Sequence, residues 1–216
     1  MNEYILTQML DYLNHNMTRY LTSVQEHIWI SLLALMIAMA IGVPSGYIAT
    51  KYKRADKWLV SVFQILRVIP SLAVLILLIP ILGTGLKPAM TALVLLAVPP
   101  ILLNTIAGLT SVPDFMIETA YGMGMTENQV FSKVKLPLAL PLILTGIKTA
   151  MIEIIASATL ASKIGAGGLG DLIFTGLGLN RTDLLLLGGL SVAFLSIFSG
   201  LLLDLVGRAT VRYKNI

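Results

Sequence analysis

The chain has no cysteine in 216 residues. That excludes a disulfide framework, a thiolate metal site and a thiol nucleophile. The two histidines, His15 and His27, lie outside any metal-ligand spacing. Charge is scarce too, 12% of residues against about a quarter in an ordinary soluble domain. A phosphate-binding loop of the G-x-x-x-x-G-K-[ST] type is also missing. The nearest approach, "GIKT" at Gly146 to Thr149, lacks the glycine before its lysine and sits in an apolar run. "GAGGLG", Gly165 to Gly170, has G-x-G-x-x-G spacing, but it follows a helical run rather than a strand, with no βαβ context. It reads as a flexible, glycine-rich external connection. The net charge of +4 does not point to nucleic acid, because the basic residues sit mainly at the ends of apolar runs.

What is present is apolar sequence: 56% hydrophobic residues and a mean hydropathy of +0.88. A bilayer-spanning helix needs about 20 mostly apolar residues. Five stretches qualify: 28–50, 58–82, 89–109, 138–161 and 184–203. The second is interrupted by Arg67, and the fourth by Lys148 and Glu153. Residues 1–27, broken by Asp11, Asn14 and Arg19, read as an amphipathic surface helix without the basic start or cleavage site of a signal peptide. The expected fold is an all-α membrane protein of five transmembrane helices in one domain.

Orientation follows the positive-inside bias. Lys51, Lys53, Arg54 and Lys57 follow the first span, Lys133 and Lys135 the third, and Arg208, Arg212 and Lys214 the fifth. An odd number of spans puts all three groups on one side. The N-terminus is therefore expected outside and the C-terminus in the cytosol. Small residues recur every four positions at Ala34, Ala38, Gly42 and Gly46, with Gly146–Ala150 and Ser157–Ala161 in the fourth span. Such stripes let helices pack closely. Arg67 and Glu153 both fall near mid-bilayer, where ionisable groups are expensive. They are candidates for an intramembrane pair or for contact with a translocation path. Pro70, Pro99 and Pro100 invite kinks.

Residues 111–137 are the polar exception. Two short helices fit there, with Asp114 and Thr126 as N-caps and a turn at Gly124. Pro137 and Pro141 suit the first turn of the next span. Within this stretch Glu118-Thr119-Ala120, Gly124, Val134 and Leu136-Pro137 resemble the EAA signature of ABC importer permeases. Thr119 stands where that family has its central alanine. The resemblance covers nearly the whole chain. It implies a cytoplasmic coupling loop, built on those seven residues, that docks on a separate ATP-hydrolysing subunit. The permease itself would then be non-catalytic and hold no cofactor, the ATP being used by its partner. It further implies a second permease chain, identical or related, an extracellular or periplasmic binding protein, and a bacterial cytoplasmic membrane.

"RVIPSLAVLILLIPILGTG" and "PPILLNTIAGL" resemble the permeases for glycine betaine, carnitine and choline. "IGAGGLGDLIFTGL" is similar to the region after the fourth span in methionine and osmoprotectant permeases. A quaternary ammonium is best held by an aromatic cage. The spans offer only Trp29, Tyr47, Trp58, Phe63, Phe194 and Phe198, without a cluster. Recognition is thus assigned to the external binding protein and the path to this chain. A permease for methionine or another amino acid is the nearest alternative. A small ion channel or membrane scaffold is the alternative from another class.

Overall fold

In the computed structural model, residues 2–51, 60–65 and 67–210 are described, and they contain helices and turns but no strand. Among the described residues, four helices are long and apolar enough to cross a bilayer. The first, α1 (Asn2–Lys51), has 50 residues in two helical parts, and the part after Asn16 alone rises about 50 Å, beyond a hydrocarbon core of about 30 Å. Asn16, at φ −128° and ψ 25°, breaks its helical geometry. Only the part of the N-terminal segment after Asn16 is continuous with the first apolar run. The N-terminal segment also has tertiary partners: Tyr12, Tyr20 and Val24 pack against Leu169, Leu172 and Leu184. The Tyr20 hydroxyl lies 2.8 Å from Ser191 Oγ.

The second apolar stretch differs from expectation. Residues 60–65 are helical, residues 67–70 are not, and α2 (Ser71–Leu82) adds only 12 residues. The break falls at Arg67–Pro70, where the residue before a proline is pushed out of the α region. Residues 52–59, with most of the basic loop, lie outside the described residues.

The third long apolar stretch, α3 (Leu86–Thr110), is the centre of the molecule. It packs on α1 and on α6 (Leu136–Ala161). Pro99 and Pro100 are buried within it, and the helix runs through both. Its neighbours come close because glycine lets them. A Cβ added at Gly42 would lie 2.9 Å from Ile101 Cγ2, and one at Gly46 2.7 Å from Thr105 Cβ. At Gly146 it would meet Asn104 Cβ at 2.7 Å. Ala34, Ala38, Ala150 and Ala161 have no exposed surface. The small-residue stripes are thus helix contacts, the packing that replaces a hydrophobic driving force inside a bilayer.

Between α3 and α6 the chain forms α4 (Asp114–Gly122) and α5 (Glu127–Val130). A π turn (Phe131–Lys135) then leads straight into α6. Helical turns run on without a gap from Glu127 to Ile164; Pro137 lies in the first turn of α6 as expected, whereas Pro141 lies inside the helix. Proline removes an N–H and crowds the carbonyl four residues back. The widened turn accommodates this, with the Leu136 N–H donating to Phe131 O. A 3-10 turn (Ser162–Ile164) and the glycine-rich connection follow, then α7 (Gly170–Gly178) and α8 (Thr182–Thr210).

Candidate functional site: the loop between α3 and α6

The polar loop folds as a knob with defined stops. Pro113 occupies the N-cap of α4, with Asp114 in the first turn. The expected cap is thus displaced by one residue, and the carboxylate faces the positive end of the helix dipole instead. At the other end the Gly124 N–H donates to Tyr121 O at 2.9 Å, and the Met125 N–H to Ala120 O at 3.1 Å. These two bonds make a Schellman motif, which requires a left-handed residue at the position Gly124 fills. Its φ is +81°, and a Cβ there would meet nothing within 4 Å. Glycine is required here by backbone conformation, not by space. Thr126 caps α5 as expected, and its backbone N–H donates to Gln129 Oε1 at 2.9 Å.

The signature residues divide by burial. Ala120 is buried, as is Val130 of α5 beside it in the knob, while Glu118, Thr119 and Gly124 are exposed. Val134, Leu136 and Pro137 are half-buried where the knob joins α6. The Thr119 hydroxyl donates to Phe115 O at 2.7 Å, so the departure from alanine costs the helix no unsatisfied group. Phe115, Met116, Tyr121 and Met123 are all exposed. Exposed apolar side chains grouped on a polar loop mark a surface for contact with a protein or with the membrane. The end of α1 supports the knob: the Tyr47 and Phe131 rings lie 4.6 Å apart, and Lys51 Nζ approaches Glu127 at 3.8 Å. A cavity of about 450 Å³ opens between these elements, lined by Tyr47, Lys51, Asp114, Tyr121, Glu127 and Phe131 among others.

Inside the spans, the ion pair is not the one proposed from sequence. Lys148 Nζ reaches both Asp204 oxygens at 2.7 Å, tying α6 to α8. Lys148 was visible as an interruption, but its partner, 56 residues away, was not. Arg67 is exposed in the break before α2, and Glu153 is half-buried on α6. The two form no ion pair with one another.

The glycine-rich connection is locked in place. Gly165, Gly167 and Gly168 all have φ between 81° and 89°. The Gly168 N–H donates to Glu26 Oε2 at 3.0 Å. A Cβ on Gly170 would sit 2.1 Å from Thr159 O. Below it His27, fully buried, contacts Ile155 O through Nε2 at 3.2 Å. These contacts fix the connection that the glycine content alone reads as flexible. Burial pushes the Asp171 carboxyl above its usual range and neighbouring Glu26 adds to this, while Arg19 acts against both.

Residues 38–212 match the family model of the binding-protein-dependent transport system inner membrane component. The chain belongs to that family. The permease is 42% identical over 183 residues to the carnitine transport permease protein OpuCB of Listeria monocytogenes, covering 85% of this chain and 83% of that one. It is 40% identical over 192 residues to the glycine betaine/carnitine/choline transport system permease protein OpuCB of Bacillus subtilis, covering 89% and 88%. Its fold matches that of a chain of the MetNI methionine ABC transporter in inward-facing conformation, with a TM-score of 0.78 over 90% of this chain and 97% of that one. The identity there is 23%, so the likeness is one of fold. The permease is thus a multi-pass membrane subunit of an ABC transporter.

Proposed function

We propose that this permease forms the path through which an ATP-driven importer carries a quaternary ammonium osmoprotectant, glycine betaine, carnitine or choline. The observation that carries this reading is the identity of 40–42% over most of the chain to permeases named for those solutes. The likeness to the methionine transporter rests on fold and carries no substrate.

In this reading the knob between α3 and α6 is the coupling element. Glu118, Thr119, Ala120, Gly124, Val134, Leu136 and Pro137 shape it, and its exposed apolar side chains enter a groove on a cytosolic ATPase. ATP is bound and hydrolysed there, not on this chain. The chain crosses the membrane five times, the broken stretch of residues 60–82 serving as the second crossing. Discontinuous helix is tolerated at membrane depth where it lines a cavity or is covered by protein. The N-terminus then lies outside with the Gly165–Gly170 connection, and the knob lies with the C-terminus in the cytosol. A second permease chain and an external binding protein complete the importer.

The test is solute uptake by cells lacking their own osmoprotectant systems and expressing the permease with its ATPase and binding protein. Accumulation of glycine betaine, carnitine or choline is expected. Accumulation of methionine without any of these would contradict the assignment.

A further inference from the structure

No aromatic cluster is visible in the apolar runs of the sequence, but the fold builds one where α1 meets the knob. Tyr47, one turn before the end of α1, lines the cavity of about 450 Å³ together with Tyr121 of α4 and Phe131 of the π turn. The Tyr47 and Phe131 rings are 4.6 Å apart and tilted by 50°. Asp114 and Glu127 add two carboxylates to the same lining, and Thr50 and Thr110 two hydroxyls. Those hydroxyls donate to Tyr47 O at 2.7 Å and Ile106 O at 2.8 Å. Their donors are used, so what they offer a ligand is acceptor lone pairs. A volume of this size is in the range of small-molecule sites, roughly 300–1,000 Å³.

A cation already sits there. Lys51 Nζ lies 5.1 Å from the centre of the Tyr47 ring and 3.8 Å from Glu127 Oε1. An aromatic face beside a carboxylate is the setting that holds a quaternary ammonium, which has no N–H to donate and is attracted by the ring quadrupole. The lysine head marks that position but holds it loosely. Its side chain is 51% exposed and that of Glu127 78%, and ion contacts so exposed contribute little. Lysine's ammonium is also a strongly hydrated point charge on a flexible stem. It can return to water and leave its place to a cation with an apolar shell.

Helix α4 stands between this cavity and the outer face of the knob. Asp114, Ile117 and Tyr121, at i, i+3 and i+7, line the cavity. Phe115, Thr119 and Met123, at i, i+4 and i+8, are exposed on the opposite side. We infer that the cavity is a binding site for a quaternary ammonium, whose head takes the place of Lys51 Nζ against Tyr47 and Glu127. A zwitterion brings a carboxylate as well, and the displaced Lys51 and Lys135, which also lines the cavity, supply positive charge for it. Binding parts Lys51 from Glu127, and so loosens the contact between the end of α1 and α5. The preference for such a cation rests on the geometry. That the ligand is a transported osmoprotectant, met on the cytosolic side, rests on the proposed function.

The experiment has two arms. The first uses the purified full-length permease and tetramethylammonium chloride as probe, followed by magnetisation transfer to its methyl protons, with sodium chloride holding ionic strength constant. Saturable binding is expected. Tyr47→Leu should raise Kd about two- to fivefold, the size of one exposed cation–π contact, while Tyr47→Phe, which keeps the ring, should bind as the unaltered chain does. Glu127→Gln should also weaken binding. Lys51→Met removes the cation already in place and should tighten binding by a similar factor, an effect that a merely structural lysine does not give. No saturable binding, or a Kd that Tyr47→Leu, Glu127→Gln and Lys51→Met all leave unchanged, would overturn the site. Weaker binding in Lys51→Met would overturn the exchange of one cation for another. The second arm measures uptake by the complete importer, with the permease, ATPase and binding protein together. Uptake of methionine but of no osmoprotectant, with binding still dependent on Tyr47 and Glu127, would refute the proposed function and leave the site standing. Uptake of an osmoprotectant with no probe binding would do the reverse.

Discussion

The two ends of α6 use glycine in opposite ways. At the end that joins the knob, Gly124 adopts φ +81° in open space. At the other end, Gly168 and Gly170 are pressed against His27, Thr159 and Ser162. The first terminates a short helix and leaves its apolar side chains exposed. The second seals a connection against α1 and α6. The open end is held by capping bonds, the closed end by packing. The comparison predicts that damage at the two ends will differ in kind.

The largest effect is expected at the packed end. Gly170→Ala puts a Cβ 2.1 Å from Thr159 O and 2.2 Å from Ser162 Oγ. Overpacking of side chains costs about 1–3 kcal/mol, and a backbone oxygen yields less readily. The yield of folded permease in detergent should collapse. Normal yield would show that the connection is looser than its contacts imply.

Next is the tie between the middle of α6 and α8. Lys148 and Asp204 are each partly exposed, so the loss should lie between the ~0–1 kcal/mol of an exposed pair and the ~3–5 kcal/mol of a buried one. Lys148→Leu should lower the thermal midpoint, and Lys148→Leu with Asp204→Leu should restore much of it. A double variant no better than the single would remove the pair from the account.

A smaller loss of stability is expected at the open end. Gly124→Leu meets no atom, and its left-handed conformation costs about 1–2 kcal/mol. The protein should fold and reach the membrane, but solute uptake should fall while ATP hydrolysis in the complex continues. Gly124→Asn, which tolerates that conformation, should keep most of the uptake. Leucine behaving like glycine would place Gly124 away from the coupling contact.

Smallest in stability is Phe115→Ala on the exposed face of α4. Such a change usually stays within about 0.5 kcal/mol. Uptake should nevertheless drop if that face meets the ATPase, and co-purification of the two subunits should weaken. Unchanged uptake and co-purification would move the contact elsewhere on the knob.

How much of this was legible in the sequence depends on the range of the interaction. The Ala34–Gly46 stripe could be read because a four-residue period on one helix becomes one face. Gly124 and Thr126 could be read because capping is decided within five residues. The break at Arg67–Pro70 was blurred because hydropathy averages over a window in which only one residue is charged. Pro137 could be read as lying in the first turn of α6, but nothing local signals that a π turn joins it directly to α5. Lys148–Asp204 and Glu26–Gly168 join residues far apart in sequence. Only the packed fold brings them together.

Reconstitution tests the central claim most directly. The purified permease is placed in liposomes with its ATPase and binding protein, and uptake of labelled glycine betaine, carnitine and choline is followed with and without ATP. At least one solute should accumulate only when ATP and all the subunits are present, and the permease alone should pass none. Downhill flux of these solutes or of ions through the permease alone would contradict the account.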